Sequence, residues 1–166
     1  MKKLGKSSKK GFTLVELIVV IVILAVLAAM LVPALIGYVD KARKEKDYQA
    51  ASTVYSAAQA AVTAAYADGT IKTKAAISKT GESTYGTESG APKWGKVICD
   101  LAGVTYGSGA KVTALAFTTD PNLYITQFQV EIENGGIKQV YEMGTNGKWA
   151  PIDAITITES STTTTT

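Results

Sequence analysis

Histidine is absent from this 166-residue chain and cysteine occurs once, at Cys99. Without histidine, the side chain whose ordinary pKa lies nearest neutrality is missing, and with it the commonest general base and metal ligand. One cysteine excludes an intramolecular disulfide. Its neighbours Val97, Ile98 and Leu101 point to a buried, inert thiol. No glycine-rich phosphate loop and no paired-cysteine metal motif occurs either. Asp120, Asn122 and Asp153 form a loose set of oxygen ligands, too sparse to assign a metal. The composition therefore argues against an enzyme and implies no cofactor.

Polar side chains are missing from Leu17 to Val32. From Phe12 to Ile36 is about 25 residues, roughly 37 Å of helix at ~1.5 Å per residue. A hydrocarbon core is about 30 Å thick. Glu16 interrupts the start of this run, where an unpaired charge costs at least a few kcal/mol, about 2.5 or more. Before it stand Lys2, Lys3, Lys6, Lys9 and Lys10 with no acid. Such a basic segment keeps the N-terminus cytoplasmic and sends the rest of the chain across the membrane. An ordinary secretory signal peptide fits less well, because its apolar region is shorter and carries no carboxylate. Small residues near Ala28 and Ala29 are the alternative cleavage region on that reading.

The run Lys10-Gly11-Phe12-Thr13-Leu14-Val15-Glu16 resembles the processing motif of type IV pilins and pseudopilins. The resemblance implies that a membrane peptidase cuts after Gly11 and methylates the new N-terminus at Phe12. It also implies an assembly role for Glu16, which in a filament could reach the amino group of an adjacent subunit. Pro33 lies where the family carries a helix-breaking proline. There the resemblance implies local bending or unwinding in the filament, and a harmless kink is the plainer alternative. The expected partners are the prepilin peptidase, the pilus assembly machinery, the membrane before assembly, and other copies of the chain. Many pilins of Gram-negative bacteria close a C-terminal loop with a disulfide, so the lone Cys99 points toward a Gram-positive relative.

Five of the 17 basic residues lie in the leader, which leaves 12 against 14 acidic ones, a net charge of −2. The basicity belongs to targeting, and the remainder carries no sign of a nucleic-acid patch.

Beyond the membrane run, Tyr48, Ala51, Tyr55, Ala58, Val62 and Ala65 recur at helical spacing, widened by Val54, Ala57, Ala61 and Ala64. Asp68-Gly69 offers a stop. A helix from Phe12 to Asp68 would extend about 85 Å. The charged run Asp40–Asp47 suggests a solvated helix face, with contacts between subunits as the sharper alternative. Thr70 to Pro92 suggests an irregular connection with one helical turn around Ala75–Ser78. Trp94 to Ala102 suggests a short helix ended by Gly103, covering a sheet with Val97, Ile98 and Leu101.

In the last third the period becomes two: Tyr124, Thr126, Phe128, Val130 and Ile132 alternate with Gln127, Gln129 and Glu131. Asn134-Gly135-Gly136 supplies a turn, and Ile137, Gln139, Tyr141 and Met143 a return strand. Thr113–Thr118 and Ala154–Thr158 are further strand candidates. The expected fold class is α+β, the type IV pilin fold: a long N-terminal helix packed on three to four antiparallel strands. Its expected parts are a leader at 1–11, the membrane and assembly half of the helix at 12–36, and its amphipathic outer half at 37–68. A head at 69–158 and a disordered Ser/Thr tail at 159–166 complete it.

Three functions fit this reading. One is a pilin of a surface filament for adhesion, motility or DNA uptake. The second is a pseudopilin of a secretion system, and the third a membrane-tethered binding or enzymatic domain that never polymerises. In the first two, the precursor sits in the cytoplasmic membrane.

Overall fold

A computed structural model describes residues 11–86 and 89–160. The elements, in chain order, are α1 (Leu14–Ala67), β1 (Ser78–Thr80), α2 (Trp94–Ala102), β2 (Val112–Thr119), β3 (Ile125–Asn134), β4 (Ile137–Met143) and β5 (Trp149–Ile152). The protein is α+β, a long N-terminal helix with a small antiparallel sheet. The chain divides into two units, with the boundary after Ala42.

In the first unit, every described residue is exposed. The 18-residue span that qualifies as membrane-crossing has none of its residues buried, as a lipid-facing segment requires. Lys2, Lys3, Lys6, Lys9 and Lys10 lie outside the described residues.

The second unit, from Arg43, holds the core. Ala51, Val54, Ala58, Ala61, Val62 and Ala65 of α1 are buried in one cluster with Leu115, Phe117, Phe128, Val130 and Ile132 of the sheet. The small alanines let the sheet approach closely, and Ala64, expected on this stripe, faces out. The ring of Tyr55 meets that of Phe128 edge-on at 5.5 Å between centroids. α1 ends as its Asp-Gly pair suggests: Gly69 takes φ +81°, and Ile71 N–H donates to Ala65 O at 2.8 Å.

The five strands form an antiparallel sheet in simple sequence order. Gly135 and Gly136, at φ +64° and +82°, make the two-residue turn between β3 and β4. Two strand positions depart from expectation. β1 pairs with β2 where one helical turn was anticipated, with Lys79 opposite Phe117. The edge strand beside β4 is Trp149–Ile152 rather than Ala154–Thr158.

Residues 154–160 instead cross the sheet face opposite α1. Gln129, flanked by the inward Phe128 and Val130, points to that face. Its Oε1 accepts the N–H groups of Thr156 and Ile157 at 2.8 and 3.1 Å. Its Nε2 donates to Glu142 and to the Thr156 hydroxyl. Gln129 is thereby buried at 2% exposure, although it looks like an outward polar residue in sequence. The strap continues to Glu159, which takes the Lys79 ammonium at 2.7 Å and the Ser83 hydroxyl at 2.8 Å. Contacts with the head therefore reach past Thr158, into the segment expected as free tail. Residues 161–166 of that tail lie outside the described residues.

α2 covers the core with Trp94, Ile98 and Cys99, while Leu101 points outward, contrary to expectation. Gly103 caps the helix at φ +68°. Burial, with Asp100 nearby, pushes the Cys99 thiol up to about 12, so it stays protonated and unreactive at neutral pH.

Tyr106 fixes α2 against the β1 turn. Its ring fills the space where side chains on Gly81 and Gly95 would stand; a Cβ at Gly95 would lie 2.2 Å from Cζ. Its hydroxyl donates to Glu82 at 2.9 Å. Gly95→Ala is expected to expel this ring and lower the stability of the head by about 1–2 kcal/mol, overpacking outweighing alanine's better helix propensity. A urea midpoint equal to wild type would show that the ring finds room.

Candidate processing and assembly site

The N-terminal motif surrounds the first turn of α1. Gly11, Phe12 and Thr13 precede the helix in non-helical backbone, and Phe12 is 89% exposed. Nothing lies within 4 Å of where a Cβ on Gly11 would stand, so the fold itself does not demand glycine there.

Thr13 and Glu16 form a reciprocal cap. Glu16 Oε2 accepts the Thr13 N–H and the Thr13 hydroxyl, both at 2.8 Å. Thr13 Oγ1 accepts the Glu16 N–H at 3.2 Å. The pattern Thr-x-x-Glu before an apolar run is the sequence signature of this capping box. Thr13 is thus the capping partner of Glu16, which the motif alone did not single out; the capping pattern was its available signal. Before cleavage, Glu16 satisfies itself within its own helix turn.

Helix α1 runs through Pro33 and Gly37 as one element. Pro33 has no N–H for the carbonyl of Ala29, so that carbonyl lacks its helical donor. Glu16 and Pro33 are separated by more than four turns and share no contact; both lie on the exposed apolar part of α1.

A second polar centre lies in the head. Asp47 ends the charged run and was expected to be solvated, yet it is buried at 6% exposure. Its Oδ1 accepts from Lys111 Nζ and Asn134 Nδ2, each at 3.1 Å. Its Oδ2 accepts from the Tyr141 hydroxyl at 3.1 Å. Burial and the neighbouring Asp47 carboxylate push the Tyr141 phenol up to about 12, so it remains a donor at neutral pH. The ring of Tyr48 closes one side, edge-on to Tyr141 at 5.3 Å. No local signal separates Asp47 from Asp40 or Glu45, because its partners lie 64 to 94 residues away.

Asp120 holds the β2–β3 turn: its Oδ1 accepts the N–H groups of Asn122 and Tyr124 at 2.9 Å. A cleft beside the C-terminus of α1 is lined by Asp68, Thr70, Lys72, Tyr85 and Pro92. Within it Asp68 takes the Thr70 N–H and the Tyr85 hydroxyl.

Residues 6–32 match the family described as the prokaryotic N-terminal methylation motif. No curated protein and no solved structure matches the chain. Over that N-terminal segment the chain is similar to type IV pilins and pseudopilins, and a long apolar helix with a small antiparallel sheet agrees with the pilin fold. The motif implies processing by a prepilin peptidase and insertion in a membrane.

Proposed function

We propose that the protein is the structural subunit of a type IV pilus-like surface filament for adhesion, motility or DNA uptake. The precursor sits in the cytoplasmic membrane with its N-terminus inside. Cleavage after Gly11 and methylation of Phe12 release it to the assembly machinery, and α1 helices then pack with those of other copies. The observation that carries this reading is the methylation motif placed directly before a helix whose large apolar side chains, from Leu14 to Val39, are all exposed. An apolar surface of that length requires either lipid or other helices around it. In the bundle, Glu16 would leave its cap for a charged amine, and Pro33 would mark where the helix adapts to its neighbours.

Electron microscopy of purified surface appendages, with antibody against the head, tests the reading. Labelled filaments support it; a chain found solely as membrane-bound monomer overturns it. The mature chain is expected to begin at N-methylated Phe12, read by mass spectrometry of the N-terminus. Gly11→Leu is expected to leave essentially all of it uncleaved. A mature chain that retains Lys9 and Lys10, or that starts near Met30, would contradict the assignment.

A further inference from the structure

The Asp47 centre holds the three groups needed for an amide exchange: an amine, a carboxamide, and a carboxylate touching both. We propose that Lys111 and Asn134 become joined by an intramolecular amide bond, with Asp47 carrying the protons. Lys111 directly precedes β2 and Asn134 ends β3, so paired backbone sets the two side chains near each other. The Glu133 N–H donates to Lys111 O at 3.0 Å. Lys111 Nζ and Asn134 Nδ2 converge on one oxygen, Asp47 Oδ1. Tyr141 holds the other oxygen, which fixes the carboxylate's orientation. Asp47 and Tyr141 are themselves buried, at 6% and 3% exposure, and separated charges are costly in such surroundings.

The step balances without an oxidant or a co-reactant. A proton passes from the Lys111 ammonium to Asp47 Oδ1, leaving a neutral amine. The amine's lone pair attacks Asn134 Cγ. Asp47 returns the proton to Nδ2, the leaving group, and takes one from the attacking nitrogen. The Cγ–Nδ2 bond breaks, the carbonyl re-forms, and ammonia departs with the proton that Asp47 then holds. Amine and carboxamide held in place by a folded chain react far faster than the same groups free in solution. The product ties the start of β2 to the β3–β4 turn, a covalent closure in a chain whose single cysteine allows none within it.

Asn134 also precedes Gly135, and cyclisation of that pair to a succinimide would release ammonia too. The experiment separates the two routes. The full-length chain, purified in detergent, is unfolded, digested with trypsin and mapped by tandem mass spectrometry. The expected product is one peptide, Val97–Lys138, uncut at Lys111 and lighter by one ammonia, without backbone fragments between 111 and 134. Lys111→Arg keeps the ion pair but removes the nucleophile, and Asp47→Asn keeps the shape but removes the proton carrier. Both variants, shown to be folded by circular dichroism, are expected to be cut at position 111 and to retain the full mass. Free Lys111 and Asn134 in the wild-type map would overturn the proposal. Ammonia loss that persists in Lys111→Arg would overturn it as well, by assigning the loss to the succinimide.

Discussion

Filament yield is expected to fall about a hundredfold in Glu16→Gln and Glu16→Ala while cleavage after Gly11 continues. In the precursor, Glu16 is satisfied by Thr13, so its removal does not unfold the head, whose core lies beyond Arg43. Cleavage after Gly11 would convert the Phe12 amide nitrogen into a charged amine, four residues before Glu16 in the chain. In a bundle of apolar helices the amine and carboxylate would be weakly screened, and an unpartnered charge there costs several kcal/mol, with about 3 enough to reduce an equilibrium a hundredfold. Glutamine still accepts from Thr13 but cannot neutralise the amine, so the two variants should behave alike in assembly. The measurement scores cleavage by mass and assembly by sheared filament protein, separately. Wild-type filament yield from both variants would remove Glu16 from assembly and leave it as a helix cap.

Asp47→Ala is expected to be the most damaging single change in the head, at about 2–4 kcal/mol. It strips Lys111, Asn134 and Tyr141 of a shared acceptor in one step, and it leaves an ammonium beside buried apolar groups. The figure lies below that of a fully enclosed charge because the Lys111 side chain keeps 27% exposure and water screens it in part. Asp47→Asn should lose less, since its carbonyl oxygen still accepts from one of the three. Guanidinium unfolding of the full chain in detergent, followed by tryptophan fluorescence, provides the comparison; Trp94 is buried in the core and Trp149 packs on Phe128. An Asp47→Ala midpoint equal to wild type would show that the cluster contributes nothing to stability.

Sequence by itself determined whatever rests on local periodicity or on short motifs. The apolar run predicted a helix long and apolar enough to cross a membrane, because a helix satisfies its own backbone within one segment. The alanine stripe from Ala51 to Ala65, the Gly69 and Gly103 stops, the Gly135-Gly136 turn and strands β3 and β4 came from spacing and from glycine's access to positive φ. The processing motif was equally local. Tertiary structure alone decided the fates of Asp47, Gln129 and β1. Asp47 looks like one more charge in a solvated run until residues 111, 134 and 141 fold around it. Gln129 keeps the alternation of an outward residue, yet the strap it binds arrives from 27 residues further on. β1 is three residues long and exists because the β2 edge offers partners to it. In each case the stabilising contacts join segments far apart in the chain, and such energies have no periodicity for a sequence to display.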